Sequence, residues 1–323
     1  MRTGPIAKVL LVRLDGIGDA LACTPLIVAL REAGHTVGVA LSDRNAGVFA
    51  PGTFVARHVL ERIPWPAHGS TPASTQRARS EIGAARYDVA LVASEEPEAY
   101  RLAAGIRERV GFVTGWAKPL KTLWARSRLT RPVFRPASLG RARDHEVEVL
   151  FGLGRGLFDA VPTRDPAHLR PVIQGSRPSP VRSGIVLQLG TKWTALGVAP
   201  AATRAIATAL AQRGARLVVS PAEADAVREL VGGLPLCIAP TLAGWKDEID
   251  RSAIVVTPDT GAVHLAGMLG IPVVAVFAPD PSGAQVARWS PWAAPGSALF
   301  SDRLPAGTAA ERVLAEIARY ADG

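Results

Sequence analysis

The stretch Lys8-Val9-Leu10-Leu11-Val12-Arg13-Leu14 runs into Asp15-Gly16-Ile17-Gly18-Asp19 and then into a helical pattern from Ala20 to Ala33. A short apolar run with β-branched content, a glycine-containing loop and a helix-period segment together predict strand, loop and helix. Gly34 closes the helix and Thr36 to Leu41 reads as the next buried strand, completing a β-α-β unit. A further strand is expected at Tyr87 to Ala93, and a helix from Asp144 to Gly156. Residues Pro162 to Pro180 are rich in Pro, Arg, Ser and Gly and read as an interdomain linker. Beyond them the alternation restarts, with strands at Gly184 to Leu189, Ala215 to Ser220, Leu236 to Ala239, Ala253 to Thr257 and Val273 to Phe277. Helices lie between these strands, and Ala309 to Tyr320 forms a last one. Strands alternating with helices imply an α/β chain of doubly wound parallel sheets, which bind ligands at the carboxyl ends of their strands. The expected domains are 1–170 and 171–323, with the final helix free to pack back on the first.

Composition agrees with two globular domains. The chain has 323 residues, 48% hydrophobic and 20% charged, and no stretch reaches the length of a membrane-spanning helix. Met1 to Pro5 leads into an apolar segment without a small-residue cleavage site, and Cys23 and Cys237 have no Cys or His at metal-ligand spacing. A cytoplasmic protein with neither disulfide nor structural zinc is expected. Formal net charge is +9, and Arg101 to Asp144 holds eleven Lys or Arg against two acids, an excess equal to the whole. Such a segment implies an anionic partner, against the alternative of a solvated, merely solubilising face. Trp116, Leu120, Leu123 and Trp124 interleave there with Lys118, Lys121, Arg126 and Arg128, a pattern suited to a membrane interface. No recognised nucleic-acid module accompanies it, so nucleic acid is not an expected partner.

Two loops carry candidate chemistry. In the first, Gly16 and Gly18 are present but Leu21 stands where a dinucleotide fingerprint needs its third glycine. Asp19 falls near the helix start, where its charge would repel a pyrophosphate, so the loop suits a carboxylate with a chemical role, or else one that caps the helix. Asp15 is the other acid of this loop, either functional or part of the turn. In the second loop, Pro258-Asp259-Thr260-Gly261-Ala262-Val263-His264, a hydroxyl, a glycine and a helix start form a candidate phosphate site. His264 could add a charged hydrogen bond or simply pack, and Asp259 could be only a cap.

Taken in order, Arg13 to Asp19, Thr24-Pro25, His145-Glu146-Val147-Glu148, Asp259-Thr260-Gly261 with His264, Gly270-Ile271-Pro272 and Pro291-Trp292 resemble the bacterial lipopolysaccharide heptosyltransferases, glycosyltransferase family 9. The resemblance covers nearly the whole chain. It implies the GT-B architecture, two Rossmann-like domains facing an interdomain cleft, and an inverting, metal-independent enzyme without a cofactor. It further implies a nucleotide-sugar donor, typically ADP-heptose, and an anionic glycan or glycolipid acceptor such as lipopolysaccharide inner core, met at the inner-membrane surface. The family's base falls on Asp19. Its donor-diphosphate loop falls on Asp259, Thr260, Gly261 and His264, and its nucleoside contact on Glu223, or on Asp225 if the alignment slips. Acceptor contacts are expected from Asp15, Gly16, Gly18, Lys118, Lys121, Arg126 and Arg128. One departure concerns the donor phosphates. Gly190-Thr191 matches the family, but Gly197-Val198-Ala199-Pro200 stands where it carries Lys-x-Trp-Pro, so Lys192 is the substitute cation beside Thr191.

Two other readings compete. A nicotinamide oxidoreductase would use Asp43 after the second strand, but the missing glycine and Asp19 oppose it. A nucleotide-sugar-binding relative without turnover would suit the altered Lys motif.

Overall fold

The computed structural model describes residues 5–64, 69–135 and 143–320. Met1 to Gly4 of the N-terminal segment and Arg141 of the basic segment lie outside the described residues. The chain forms two compact units, Met1–Thr163 with Pro171–Gly175, and Arg164–Arg170 with Ser176–Gly323.

The first unit contains strands β1 (Lys8–Arg13), β2 (Thr36–Ser42), β3 (Arg57–Leu60), β4 (Val89–Val92), β5 (Glu108–Val113) and β6 (Arg131–Phe134). Its helices are α1 (Ile17–Leu21), α2 (Thr24–Glu32), α3 (Pro72–Ala85), α4 (Pro97–Leu102), α5 (Pro119–Arg126) and α6 (Glu146–Phe151). Helix α7 (Pro166–Gln174) contributes its first residues to the second unit and its last to the first. The second unit has strands β7 (Ile185–Gln188), β8 (Arg216–Val219), β9 (Cys237–Ile238), β10 (Ile254–Pro258), β11 (Val273–Phe277) and β12 (Gly296–Phe300). Its helices are α8 (Lys192–Ala195), α9 (Pro200–Ala211), α10 (Ala224–Val231), α11 (Leu242–Asp250), α12 (Gly261–Met268), α13 (Ala284–Trp289) and α14 (Ala309–Ala318). No helix among the described residues is long and apolar enough to cross a membrane.

Both sheets are parallel and share one topology. The first runs β3-β2-β1-β4-β5-β6 and the second β12-β11-β10-β7-β8-β9, so each follows the order 3-2-1-4-5-6 within its own unit. In each the strand order reverses beside the unit's first strand, between β1 and β4 and between β7 and β10. The chain loops leaving those two strands diverge to opposite faces, and the crevice they leave is where such sheets bind ligands. The central strands are apolar on both faces because helices cover both: Val9, Leu10, Leu11 and Val12 of β1 and Val255 and Val256 of β10 are fully buried.

Some predicted segments take a different form. The helix expected from Ala20 to Ala33 is two, α1 and α2, broken at Ala22–Cys23 where Pro25 needs a fresh first turn. The helix expected from Asp144 to Gly156 starts at Glu146 and tightens after Phe151 into a 3-10 turn. The proline-rich linker contains α7, whose Leu169, Val172 and Ile173 are buried. The final helix packs on α9, with Ala309 and Val313 in the core of the second unit.

Helix α12 shows how tightly the second unit is built. An added Cβ on Gly267 would lie 2.9 Å from the Pro291 backbone and from the Trp292 amide nitrogen, and neither can rotate away. Trp292 is itself buried and carries Arg164 over its ring, with the guanidinium 3.7 Å from the centroid and donating to the Trp292 carbonyl. Gly267→Ala should therefore destabilise the protein by about 1–3 kcal/mol through overpacking. Urea unfolding followed by fluorescence measures it, and an unchanged midpoint would show that this contact has slack.

Candidate active site

Arg13 closes β1 and is 3% exposed, at the point where the strand stops being apolar. Its Nη1 donates to the Ala93 carbonyl after β4, and its Nη2 donates to Asp19 Oδ1 at 2.5 Å. Its Nε lies 3.2 Å from Asp15 Oδ2, which also accepts from the Ser94 hydroxyl at 2.5 Å. Burial opposes the Arg13 charge, but the surrounding carboxylates Asp19, Asp15 and Glu146 outweigh it and hold the guanidinium above its usual range. Asp15 and Asp19 therefore converge at the switch point of the first sheet. Their side chains remain about a third open, at 28% and 31%.

Gly16 is the N-cap of α1, and Asp19 is the third residue of its first turn, accepting the Gly16 amide at 3.2 Å. Asp19 thus caps the helix and faces Arg13 with different oxygens. Its exposed edge leaves lone pairs for a proton from outside. Asn45 secures the loop from β2, donating to the carbonyls of Arg13 and Asp15. Asp43, the acid expected of a nicotinamide site, accepts instead from the Arg62 amide.

The basic segment divides into cations with partners inside the unit and cations at the surface. Lys121 pairs with Glu95 at 3.1 Å, and Arg128 lies 3.9 Å from the centroid of the Trp124 ring. Lys118 and Arg126 are exposed. Around them Trp116, Leu120 and Leu123 are 94%, 83% and 69% exposed, so α5 and the turn before it present apolar side chains and cations together.

In the second unit the loop after β7 is built around Glu223. Its Oε1 accepts from both the amide and the hydroxyl of Thr191 at 2.8 Å, and its Oε2 from Ser220 at 3.1 Å. A Cβ at Gly190 would lie 2.9 Å from Glu223, which explains the glycine. Asp225 forms a surface pair with Arg228. Lys192 is exposed at the start of α8. Gly197, aligned with the family's lysine, has φ of +88°, a left-handed conformation that a lysine adopts only with strain. Val198 is buried, and Ala199 and Pro200 start α9.

After β10, Thr260 is the N-cap of α12, its hydroxyl accepting the Ala262 amide. Asp259 accepts from Gln285 of α13 at 3.1 Å and is not the cap. Asp280 holds α13, its carboxylate kept below the usual range by the Ser282 hydroxyl and the amides of Gln285, Val286 and Gly283. His264 is 3% exposed and meets the Trp289 ring edge to face at 5.4 Å, so packing accounts for much of its environment. Sequence reasoning missed Ser94, Gln285 and the Trp245 indole that fixes Gln188 at 2.7 Å. Each is brought in by a distant segment, and no local motif marks it.

The fold and these sites define the GT-B class of two Rossmann-like domains. Residues 167–310 match the family described as glycosyltransferase family 9 (heptosyltransferase), which bears out the resemblance read from the sequence. Among solved structures, the chain is similar to Escherichia coli heptosyltransferase WaaC with ADP, at TM-score 0.71 and 19% identity over 97% of this chain and 100% of that one. It is similar to a glycosyl transferase family 9 protein from Veillonella parvula DSM 2008, at TM-score 0.71 and 13% identity over 97% of each chain. It is also similar to E. coli ADP-heptose lps heptosyltransferase II, at TM-score 0.67 and 16% identity over 97% and 98%. No curated protein matches the sequence.

Cys23 lies beside the first site, fully buried, and burial pushes its thiol up to about 12 against the pull of Arg13. Since the thiolate is the reactive form, Cys23 should resist iodoacetamide at pH 8 while half-buried Cys237 reacts first. In urea the two should label at similar rates. Peptide mass spectrometry reads the order, and equal native labelling would show that the β1 site opens readily.

Proposed function

We propose that the protein is an inverting, metal-independent glycosyltransferase that moves a heptose from ADP-heptose to a hydroxyl of an anionic glycan or glycolipid such as lipopolysaccharide inner core. The observation that carries this reading is the pairing of chemistries at two equivalent positions. The switch point of the first sheet holds the partly open carboxylate Asp19, and that of the second holds Thr191, Lys192, Asp259, Thr260 and Gly261. The family match and the ADP held by the similar WaaC structure favour an adenosine diphosphate sugar for the second.

In this reaction Asp19 takes the proton as the acceptor oxygen attacks the anomeric carbon. The bond from that carbon to the diphosphate breaks, and ADP leaves with the electron pair. The amide end of α12, the Thr260 hydroxyl and Lys192 meet the charge growing on ADP, with His264 behind them. Glu223 sets the Thr191 loop against the nucleoside.

Asp19→Asn keeps size and capping but cannot take a proton. Turnover should fall about 10²–10⁴-fold, with ADP affinity by calorimetry unchanged and activity insensitive to EDTA. Melting temperature should fall only modestly, because Arg13 keeps Asp15 and Glu146. Retained turnover would move the base to Asp15, and activity lost to EDTA and restored by magnesium would refute metal independence.

The acceptor is proposed to arrive from the cytoplasmic face of the inner membrane, where α5 and the turn before it meet anionic headgroups with Lys118 and Arg126 and bury Trp116, Leu120 and Leu123 among them. Replacing Lys118 and Arg126 with Gln should weaken binding to phosphatidylglycerol vesicles by about 30-fold at low salt, at about 1 kcal/mol per cation, and flatten its salt dependence. Leu120→Ser with Leu123→Ser should weaken it at every salt concentration. Vesicle sedimentation that is the same for all variants would leave α5 a solvated face.

A further inference from the structure

Asp19 sits at the end of a chain of alternating charges that starts at the surface. Lys121 of α5 pairs with Glu95 at 3.1 Å, and Glu95 accepts from Arg135 at 3.0 Å. Arg135 in turn pairs at 3.0 Å with Glu146, the first residue of α6, which is fully buried. Glu146 Oε1 lies 3.9 Å from Arg13 Nη2, the nitrogen that donates to Asp19. Lys121, Arg135 and Arg13 thus alternate with Glu95, Glu146, Asp15 and Asp19.

The geometry points to Arg13, seated on the buried carboxylate of Glu146, as the positioning residue that fixes Asp19 for proton abstraction. This rests on the reading of Asp19 as the base. A guanidinium is planar, so with Nη1 held by the Ala93 carbonyl and Nε beside Asp15, the direction of Nη2 is set and the Asp19 carboxylate with it. A lysine supplies the charge without the fork. Glu146 supplies the counter-charge that keeps Arg13 from collapsing fully onto either aspartate, and Arg135 pairs with Glu146 in turn. Other titratable groups beside the chain include Cys23, whose thiol burial keeps neutral, the buried His145, which accepts the Val147 amide at the start of α6, and Tyr100, whose phenol burial holds above its usual range while it donates to the Phe112 carbonyl.

The test uses Glu146→Gln and Arg13→Lys in the full chain, with Asp19→Asn alongside. Selective carboxyl labelling of aspartate with carbon-13 follows the titration of Asp19 by NMR, its resonance assigned by its loss in Asp19→Asn. Glu146→Gln removes a neighbouring negative charge, so Asp19 should titrate at lower pH by about half a unit or more, and the acid limb of the kcat profile for ADP-heptose should move with it. Arg13→Lys should leave that limb near its wild-type position, lower kcat at least about tenfold through misplacement of the base, and leave ADP affinity and donor KM unchanged. If Arg13→Lys does not fold, the Glu146→Gln titration decides alone. Asp19 titration and kcat unmoved in a folded Glu146→Gln would overturn the positioning role while leaving Asp19 as base. Full turnover in Asp19→Asn would overturn both readings together.

Discussion

Parallel strands cannot be joined by tight hairpins, and that constraint shapes everything else in this chain. Each connection must cross a face of the sheet, right-handed, and carry a helix with it. With both faces covered, the central strands are apolar throughout, and polar groups find room only where strands end. The strand order 3-2-1-4-5-6 then singles out one place in each sheet where neighbouring loops part. Arg13 marks the transition in the first sheet, the last residue of β1 and its one buried charged side chain. The loops after β1 and β4 supply them as Asp15, Asp19, Ser94 and the Ala93 carbonyl.

How much of this was legible follows from the same constraint. Strands β1, β2, β4, β7, β8, β10 and β11 stand out as apolar runs, because burial on both faces leaves no polar alternation to confuse them with surface segments. Strands β3, β5, β6 and β12 escaped notice. β3 and β6 lie at or next to a sheet edge and carry Arg57, His58, Arg131 and Pro132, while β12 is half-exposed at Gly296 to Phe300. The loop candidates Asp19 and Thr260 were readable because a short segment, strand then turn then helix, fixes what they do. Glu146 was readable only as part of a motif ahead of a helix. Its pairing with Arg135 and its approach to Arg13 depend on α6 folding back against α2 and the end of β1, which no local pattern encodes.

Counting charge along the chain overstated the open basic surface for a related reason. Lys121, Arg131 and Arg135 each pair with a carboxylate, and Arg109 caps the carbonyls of Ile106 and Arg128. Much of the local excess is therefore structural, drawn inward to acids that the sequence places elsewhere. What remains outside includes Lys118 and Arg126, which flank three exposed apolar side chains, Trp116 just before α5 and Leu120 and Leu123 on it. A solubilising face has no use for Trp116 at 94% exposure, whereas the headgroup contact proposed for this surface would use it.

The donor loop shows how backbone geometry limits where a charge can be placed. At Gly197 the chain turns through φ of +88°, just before Val198 is buried against the core and Pro200 opens α9. A lysine there would carry both backbone strain and a changed turn, so the cation that the family places at this point has no simple equivalent at the same position. Lys192 lies earlier in the loop, beside Thr191, whose amide and hydroxyl are both committed to Glu223. In the proposed reaction the leaving diphosphate would therefore meet its lysine from the β7 side, next to the residue that sets the nucleoside loop. Charge stabilisation and nucleoside recognition would be carried by one short turn, where the family's pattern spreads them across two.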